Sequence, residues 1–334
     1  MDSSTAYRVS AVHRTHLLVL VDGRDVRAEL TGRFRFLAES DEELPAVGDY
    51  VHALLMDDGD LAIVQDVVPR ETVLKRRAAG GEAEFQVIAA NVDVAFIVQA
   101  CDRDFNIARL ERYLVAVRDG GVTPAIVLSK ADLMDDASRA QLEADIRASG
   151  EEAPVFVVSS ESGYGMEPLE AALEPDRTYC LLGSSGVGKT TLLNRLIGEE
   201  TFSTRETRAD QKGRHTTTAR YLQQLPGGAW LIDTPGMREF GLMGAESGLA
   251  ETFSDLDDLL GNCRFRDCSH TVEEGCALLE AVASGDLDES RYERYMKLRR
   301  ESAHYERTNA ERRQKDKEFG KLIKRTMQAK KDRR

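Results

Sequence analysis

The stretch Gly183-Ser-Ser-Gly-Val-Gly-Lys-Thr190 constrains the fold more than any other feature of the chain. It leaves an apolar run, Thr178-Tyr-Cys-Leu-Leu182, and opens an amphipathic one, Thr190 to Ile197, closed by Gly198. A glycine-rich turn between a strand and a helix implies a parallel α/β sheet with the turn at its carboxyl edge. Gly183, Gly186 and Gly188 let backbone N–H groups curve around phosphate oxygens with no Cβ in the way, and the helix start adds its positive end. Ser184, Ser185 and Val187 complete the loop, and Thr191 follows in the first helical turn. Lys189 is the expected catalytic cation on the β- and γ-phosphates, and Thr190 offers its hydroxyl to Mg2+.

Downstream, Ala229-Trp-Leu-Ile-Asp-Thr-Pro-Gly236 is a second apolar run with a polar end. Asp233 at such a strand end can hold Mg2+, directly or through water, and the Gly236 N–H can face the γ-phosphate. Between the two lies Lys212-Gly-Arg-His-Thr-Thr-Thr-Ala219, placed where a mobile switch offers a threonine to the metal; a plain surface loop has the same composition. Of Thr216, Thr217 and Thr218, Thr217 is taken as the ligand. His215 is the nearest side chain for orienting an attacking water, because Met237 follows Gly236 and cannot do so. The alternative for His215 is packing or contact with RNA phosphate.

A third segment lies upstream and reverses the usual order. Leu128-Ser-Lys-Ala-Asp-Leu133 follows the apolar run Ala125 to Leu128, so Ser129, Lys130, Ala131 and Asp132 emerge at the same sheet edge. Asp132 can accept the N1–H and 2-amino groups of guanine; adenine lacks both donors and would leave the carboxylate unpaired. Lys130 can lay its stem across the base. In Val157-Val-Ser-Ser-Glu-Ser-Gly-Tyr-Gly165, the backbone at Ser159 or Ser160 can reach the base carbonyl. Ser-x-x-Asp is also a common helix cap.

Three of the five cysteines fall with a histidine in fourteen residues, as Cys263, Cys268, His270 and Cys276. This ligand set matches one structural Zn2+ with no open position, although reduced buried thiols would share the pattern. Cys101 and Cys180 lie in apolar runs and read as core. The chain's net charge of -13 hides a gradient: residues 291–334 hold 17 Lys plus Arg against 7 Asp plus Glu, leaving -23 for the rest. The basic tail fits a localised polyanion contact or a salt-bridged solvated helix. No apolar run approaches the roughly 20 residues that span a bilayer. The start, MDSSTAYRVS, has no apolar signal core, so a cytoplasmic location is expected.

Short β-rich runs through the first seventy residues, Tyr7–Val12, His16–Val21 and Leu61–Val68, point to a small closed barrel. Arg76-Arg-Ala-Ala-Gly-Gly81 reads as a linker. Strands then alternate with helices: Val92 to Gln99, Ile107 to Arg118, Ala125 to Leu128, a helix from about Ala137 to Gly150, and Val155 to Val158. Beyond Gly241 only helical segments are expected.

This order of motifs, with Val47-Gly-Asp-Tyr-Val51 and Val73-Leu-Lys-Arg76 in the leading barrel and the Cys-Cys-His-Cys cluster behind, resembles the circularly permuted, small-subunit-dependent GTPases known as RsgA. The resemblance implies an OB-fold β-barrel over residues 1–72, a permuted P-loop GTPase domain over 73–245 and a zinc-binding helical module with a basic tail over 246–334. It implies GTP or GDP, Mg2+ and one structural Zn2+ as cofactors, and the small ribosomal subunit with its rRNA as partner, without membrane contact and as a monomer. The implied activity is GTP hydrolysis, slow alone and stimulated by the subunit, in late subunit maturation. Ser129 stands where many GTPases carry asparagine, and its shorter hydroxyl is expected to lose part of the bridge to the phosphate loop and to guanine N7, with guanine preference kept through Asp132. Two other readings remain: a P-loop ATPase or small-molecule kinase, and an RNA-binding scaffold whose guanine nucleotide is regulatory and barely hydrolysed.

Overall fold

The structure is a computed structural model that describes residues 5–13, 15–38, 40–77, 85–102, 104–198, 220–234, 242 and 245–303. The leading strands are β1 (Thr5–Val12), β2 (Leu17–Val21), β3 (Arg24–Leu30), β4 (Tyr50–Met56) and β5 (Leu61–Val67), with the short helix α1 (Gly32–Leu37) between β3 and β4. They pair in the order β1-β2-β3-β5-β4, and β4 returns to β1 with Thr5 opposite Ala53, which closes the expected barrel with five strands. Alternation puts Val9, Val19, Val26, Val51, Ala62 and Val64 inside.

The Val47-Gly-Asp segment joins the barrel to the rest of the chain. Asp49 is fully buried and accepts from Arg70 Nε and Nη2, both at 2.8 Å, and from the Ala46 N–H at 2.7 Å. Gly48 has φ +90, and a Cβ there would stand 2.2 Å from the Ala90 carbonyl oxygen. Only glycine admits that approach.

Arg76 and Arg77 differ from the linker expectation. They belong to β6 (Val73–Arg77), which, against the expectation that Val73–Arg76 lies in the barrel, forms a separate antiparallel hairpin with β7 (Phe85–Ala90). The reason is burial: Leu74 on β6 and Ile88, Ala89 and Ala90 on β7 are fully enclosed, so the hairpin covers the next core.

The α/β layer contains β8 (Val94–Ala100), α2 (Ile107–Asp119), β9 (Thr123–Ser129), α3 (Asp136–Ala148), β10 (Val155–Val157), α4 (Met166–Ala171), β11 (Thr178–Leu182), α5 (Lys189–Ile197), β12 (Arg220–Gln224) and β13 (Trp230–Asp233). The order is β10-β9-β8-β11-β13-β12, parallel except for β12. Apolar clusters cover both faces, as continuous apolar strands require. The chain fills β8, β9 and β10 on one side of the sheet and returns to its centre for β11. The sheet does not end at β12, which also pairs antiparallel with β1, Ala11 opposite Tyr221. Barrel and layer thus share one run of hydrogen-bonded strands.

Helices α6 (Glu246–Thr252), α7 (Asp257–Gly261) and α8 (Ala277–Ser284) come next, with a further helix over residues 289–303. Their core, including Leu249, Phe253, Leu256 and Met296, also takes in Val115 of α2. No described helix is long and apolar enough to cross a membrane.

Candidate nucleotide site and cysteine cluster

The carboxyl ends of β8, β9, β11 and β13 meet at one sheet edge, where strands on either side of β11 lead away in opposite directions, the place where open α/β sheets bind ligands. From β11 the chain turns at Gly183, φ +144, where a Cβ would lie 2.3 Å from the Val98 carbonyl oxygen. Gly186 and Gly188 also have positive φ, and Gly188 caps α5. The loop is therefore a cradle that three glycines keep open. Ser185 and Gly186 are exposed, Ser184 and Thr190 half-buried, and Val187 buried.

Lys189 is buried and folds back over its own loop, donating from Nζ to the Gly183 and Ser184 carbonyl oxygens, each at 2.7 Å. Burial pushes its ammonium down to about 8, with the Asp233 carboxylate pulling the other way. Asp233 ends β13 in register with Leu181, and the next residue, Thr234, donates from its hydroxyl to the Leu181 carbonyl at 2.6 Å. His215, Thr217 and Gly236 lie outside the described residues.

Ser129, at the end of β9, donates from Oγ to the Val187 carbonyl at 2.6 Å, with the Gln99 carbonyl at 3.2 Å. The hydroxyl, shorter than an asparagine amide, still spans the gap to the phosphate loop. Lys130 adopts φ +59 and its Nζ lies 3.2 Å from Asp102 Oδ2. Ala131 is buried, its N–H on the Val158 carbonyl at 3.1 Å. Asp132 is exposed in the adjoining turn and accepts from Ser159 Oγ. The Ser159 N–H donates to the Tyr164 carbonyl at 2.9 Å, and Ser160 is half-buried in the same loop. Sequence reasoning missed Asp102, which ends up beside Lys130; its position just past the end of β8 was the available signal.

Far along the chain, Cys263, Cys268, His270 and Cys276 place their ligand atoms within 4.8 Å of one another. Cys263 Sγ and Cys276 Sγ are 4.0 Å apart, and each lies near His270 Nδ1, at 3.4 and 3.5 Å. A tetrahedral ion with metal–sulfur bonds of about 2.3 Å and metal–nitrogen bonds of about 2.0 Å needs edges of roughly 3.5 to 3.8 Å, so the donor set fits one Zn2+. The surrounding loop is braced independently: Glu273 accepts from the N–H groups of Ser269, Thr271 and Val272, and hydrogen bonds from the Ser269 side chain first, then from the Ser269 and Val272 N–H groups, hold its carboxyl well below the usual range. Tyr292 donates to the His270 carbonyl at 2.7 Å. Cys101 and Cys180 are core residues, and burial pushes their thiols up to about 11 and about 12.

A family profile described as RsgA GTPase matches residues 67–243, just over half of the chain. The chain belongs to the RsgA GTPase family. It is therefore a GTP-hydrolysing enzyme that uses guanine nucleotide and Mg2+. A relative from Listeria innocua, named small ribosomal subunit biogenesis GTPase RsgA 1, is 44% identical over 309 residues, covering 92% of this chain and 86% of the relative. One from Opitutus terrae, named small ribosomal subunit biogenesis GTPase RsgA, is 45% identical over 308 residues, covering 89% and 83%. The crystal structure of YjeQ from Thermotoga maritima superposes with a TM-score of 0.64 at 25% identity, covering 88% of this chain and 96% of that one. That of YloQ, described as a circularly permuted GTPase, gives 0.60 at 24%, covering 89% and 95%. Permutation accounts for the inverted motif order, because parallel strands of one sheet can be reconnected while their ends still converge on one edge.

Proposed function

We infer that the chain acts in late maturation of the small ribosomal subunit in the cytoplasm, hydrolysing GTP slowly alone and faster on the subunit. The observation that carries the nucleotide part is the Ser129–Val187 hydrogen bond, which joins base-reading turn and phosphate loop across 58 residues of sequence. In this reading Asp132 receives the guanine N1–H and 2-amino group, and Lys130, steadied by Asp102, lies along the base. The Ser159 hydroxyl orients Asp132, while the Ser159–Ser160 backbone stands at the base carbonyl.

The backbone of Gly183 to Gly188, with Thr190 and Thr191 at the helix start, wraps the phosphates. Lys189 exchanges its two carbonyl acceptors for β- and γ-phosphate oxygens as the nucleotide enters. Thr190, Thr217 and Asp233 would hold Mg2+, and Gly236 would present its N–H to the γ-phosphate. Bound Mg2+ supplies charge neutralisation across the β- and γ-phosphates. His215 is assigned to orienting the attacking water.

The subunit part rests on the relatives' names and on surface chemistry. Arg264 and Arg266 project from the cysteine loop, and the Arg264 guanidinium stands 5.4 Å from the ring centre of Phe265, itself 47% exposed. Exposed arginines beside an aromatic ring, followed by a basic tail, support contact with rRNA. The deciding experiment measures turnover of GTP and ATP with and without purified small subunits. GTP turnover that rises on adding subunits supports the reading, and turnover indifferent to them leaves the regulatory-scaffold alternative standing.

A further inference from the structure

Asp132 sits in an exposed turn, yet reading a base demands that its carboxylate be held in one position. Arg139, in the first turns of α3, reaches that turn with a side chain only 13% exposed. Its Nη1 donates to the Ala131 carbonyl at 2.6 Å and to the Met134 carbonyl at 2.5 Å, so the two acceptors bracket Asp132 along the chain. Asp136 pairs with its Nη2 from the solvent side. The same guanidinium lies over the ring of Tyr164, 4.7 Å from its centre. Tyr164 belongs to the other base loop, and its carbonyl receives the Ser159 N–H while the Ser159 hydroxyl donates to Asp132.

We propose that Arg139 is a positioning residue for guanine recognition, clamping the turn that carries Asp132 to the loop that carries Ser159. A planar, permanently charged fork can bond two carbonyls in its plane while an aromatic ring lies against its face; a lysine ammonium cannot do both. Arg139 does not touch the base. It fixes the distance between the carboxylate and the hydroxyl that orients it, so its loss is felt where the 2-amino group of guanine is read. This rests on the assignment of Asp132 as the guanine reader.

The test measures binding of GDP and of IDP, whose base lacks the 2-amino group, to the full chain by calorimetry. In Arg139→Met and in Tyr164→Ala, GDP affinity is expected to fall about tenfold, and IDP affinity by distinctly less, so the GDP/IDP preference narrows. Tyr164→Phe keeps the ring face and the wild-type preference. Should Arg139→Met fold poorly, Tyr164→Ala, at a half-exposed position, carries the comparison alone. Equal losses for both nucleotides, or an unchanged preference, overturn the clamp, because a merely loosened fold has no reason to distinguish one amino group. An Asp132→Ala chain separates the two levels. If it keeps the wild-type preference, the base-site reading itself falls; if its preference collapses while that of Arg139→Met does not, the clamp alone falls.

Discussion

Ser129 Oγ donates to the Val187 carbonyl oxygen at 2.6 Å, so a residue at the end of β9 holds the floor of the glycine-rich loop that opens α5. Both groups are buried, and a buried carbonyl that loses its donor keeps the desolvation cost. Ser129→Ala is therefore expected to lower GDP affinity by about 1 to 2 kcal/mol, or roughly five- to thirtyfold. Competition against a fluorescent GDP measures this directly. A change under twofold would mean that the loop holds its shape without the hydroxyl.

The lowered Lys189 ammonium gives a pH signature. In the free protein it titrates near 8, because burial disfavours the charged form. Against phosphate oxygens the charge is favoured, so the nucleotide-bound value lies higher. Well below pH 8, binding takes up no proton at this site. Above it, binding must recharge the lysine, and GDP affinity falls toward tenfold per pH unit. Titrations in buffers of different ionisation enthalpy between pH 7 and 9 should find proton uptake approaching one per GDP at the upper end and none at the lower.

Legibility in the sequence tracks how local each cause is. The turn from β11 into α5 announces itself because glycines at three fixed offsets are needed wherever a backbone must wrap an anion. The cysteine cluster is equally local, its four ligands lying within one loop. Strand β12 left no comparable trace: Arg-Tyr-Leu-Gln-Gln is short and mixed, and it is a strand because β1 and β13 pair with it from distant parts of the chain. The hairpin of β6 and β7 was obscured because Arg76 and Arg77 open a small, glycine-rich run that reads as a linker, although Leu74 anchors the strand. Asp102 and Arg139 are invisible to motif reading, since their importance comes from which strand end and which ring the fold brings beside them.

The cysteine loop should carry one zinc per chain, measured by elemental analysis of protein purified without added metal. Cys276→Ser removes a ligand and is expected to lose the ion. Cys268 and Cys276 are also part of the apolar core formed by α6, α8 and the 289–303 helix, so losing the metal unpins that core. A loss of about 3 kcal/mol corresponds to a fall in Tm of roughly 4 °C in a chain of this size. Chelation of the native protein should reproduce the shift, and restoring Zn2+ should reverse it in the native chain but not in the variant.

The same module is fastened to α2 through charge. Glu111, 1% exposed on α2, accepts from Arg291 at 2.7 Å and from Arg294 at 2.8 Å, and Arg291 also meets Asp255 at 2.7 Å and covers the Phe253 ring at 4.1 Å. Deleting Glu111 alone leaves cations facing a site built for their counter-charge, and removing one partner of a buried pair costs about 3 to 5 kcal/mol. Glu111→Met should therefore loosen the 289–303 helix, read as faster amide exchange there and along α2. Adding Arg291→Met removes the deeper of the two stranded charges, and Asp255, being partly exposed, can turn to water. The double variant is thus expected to be more stable than the sum of the single effects by about 1 kcal/mol or more. Strict additivity would mean that the module is held by its apolar contacts, Val115 of α2 within its core among them, and that the ion pairs only decorate the seam.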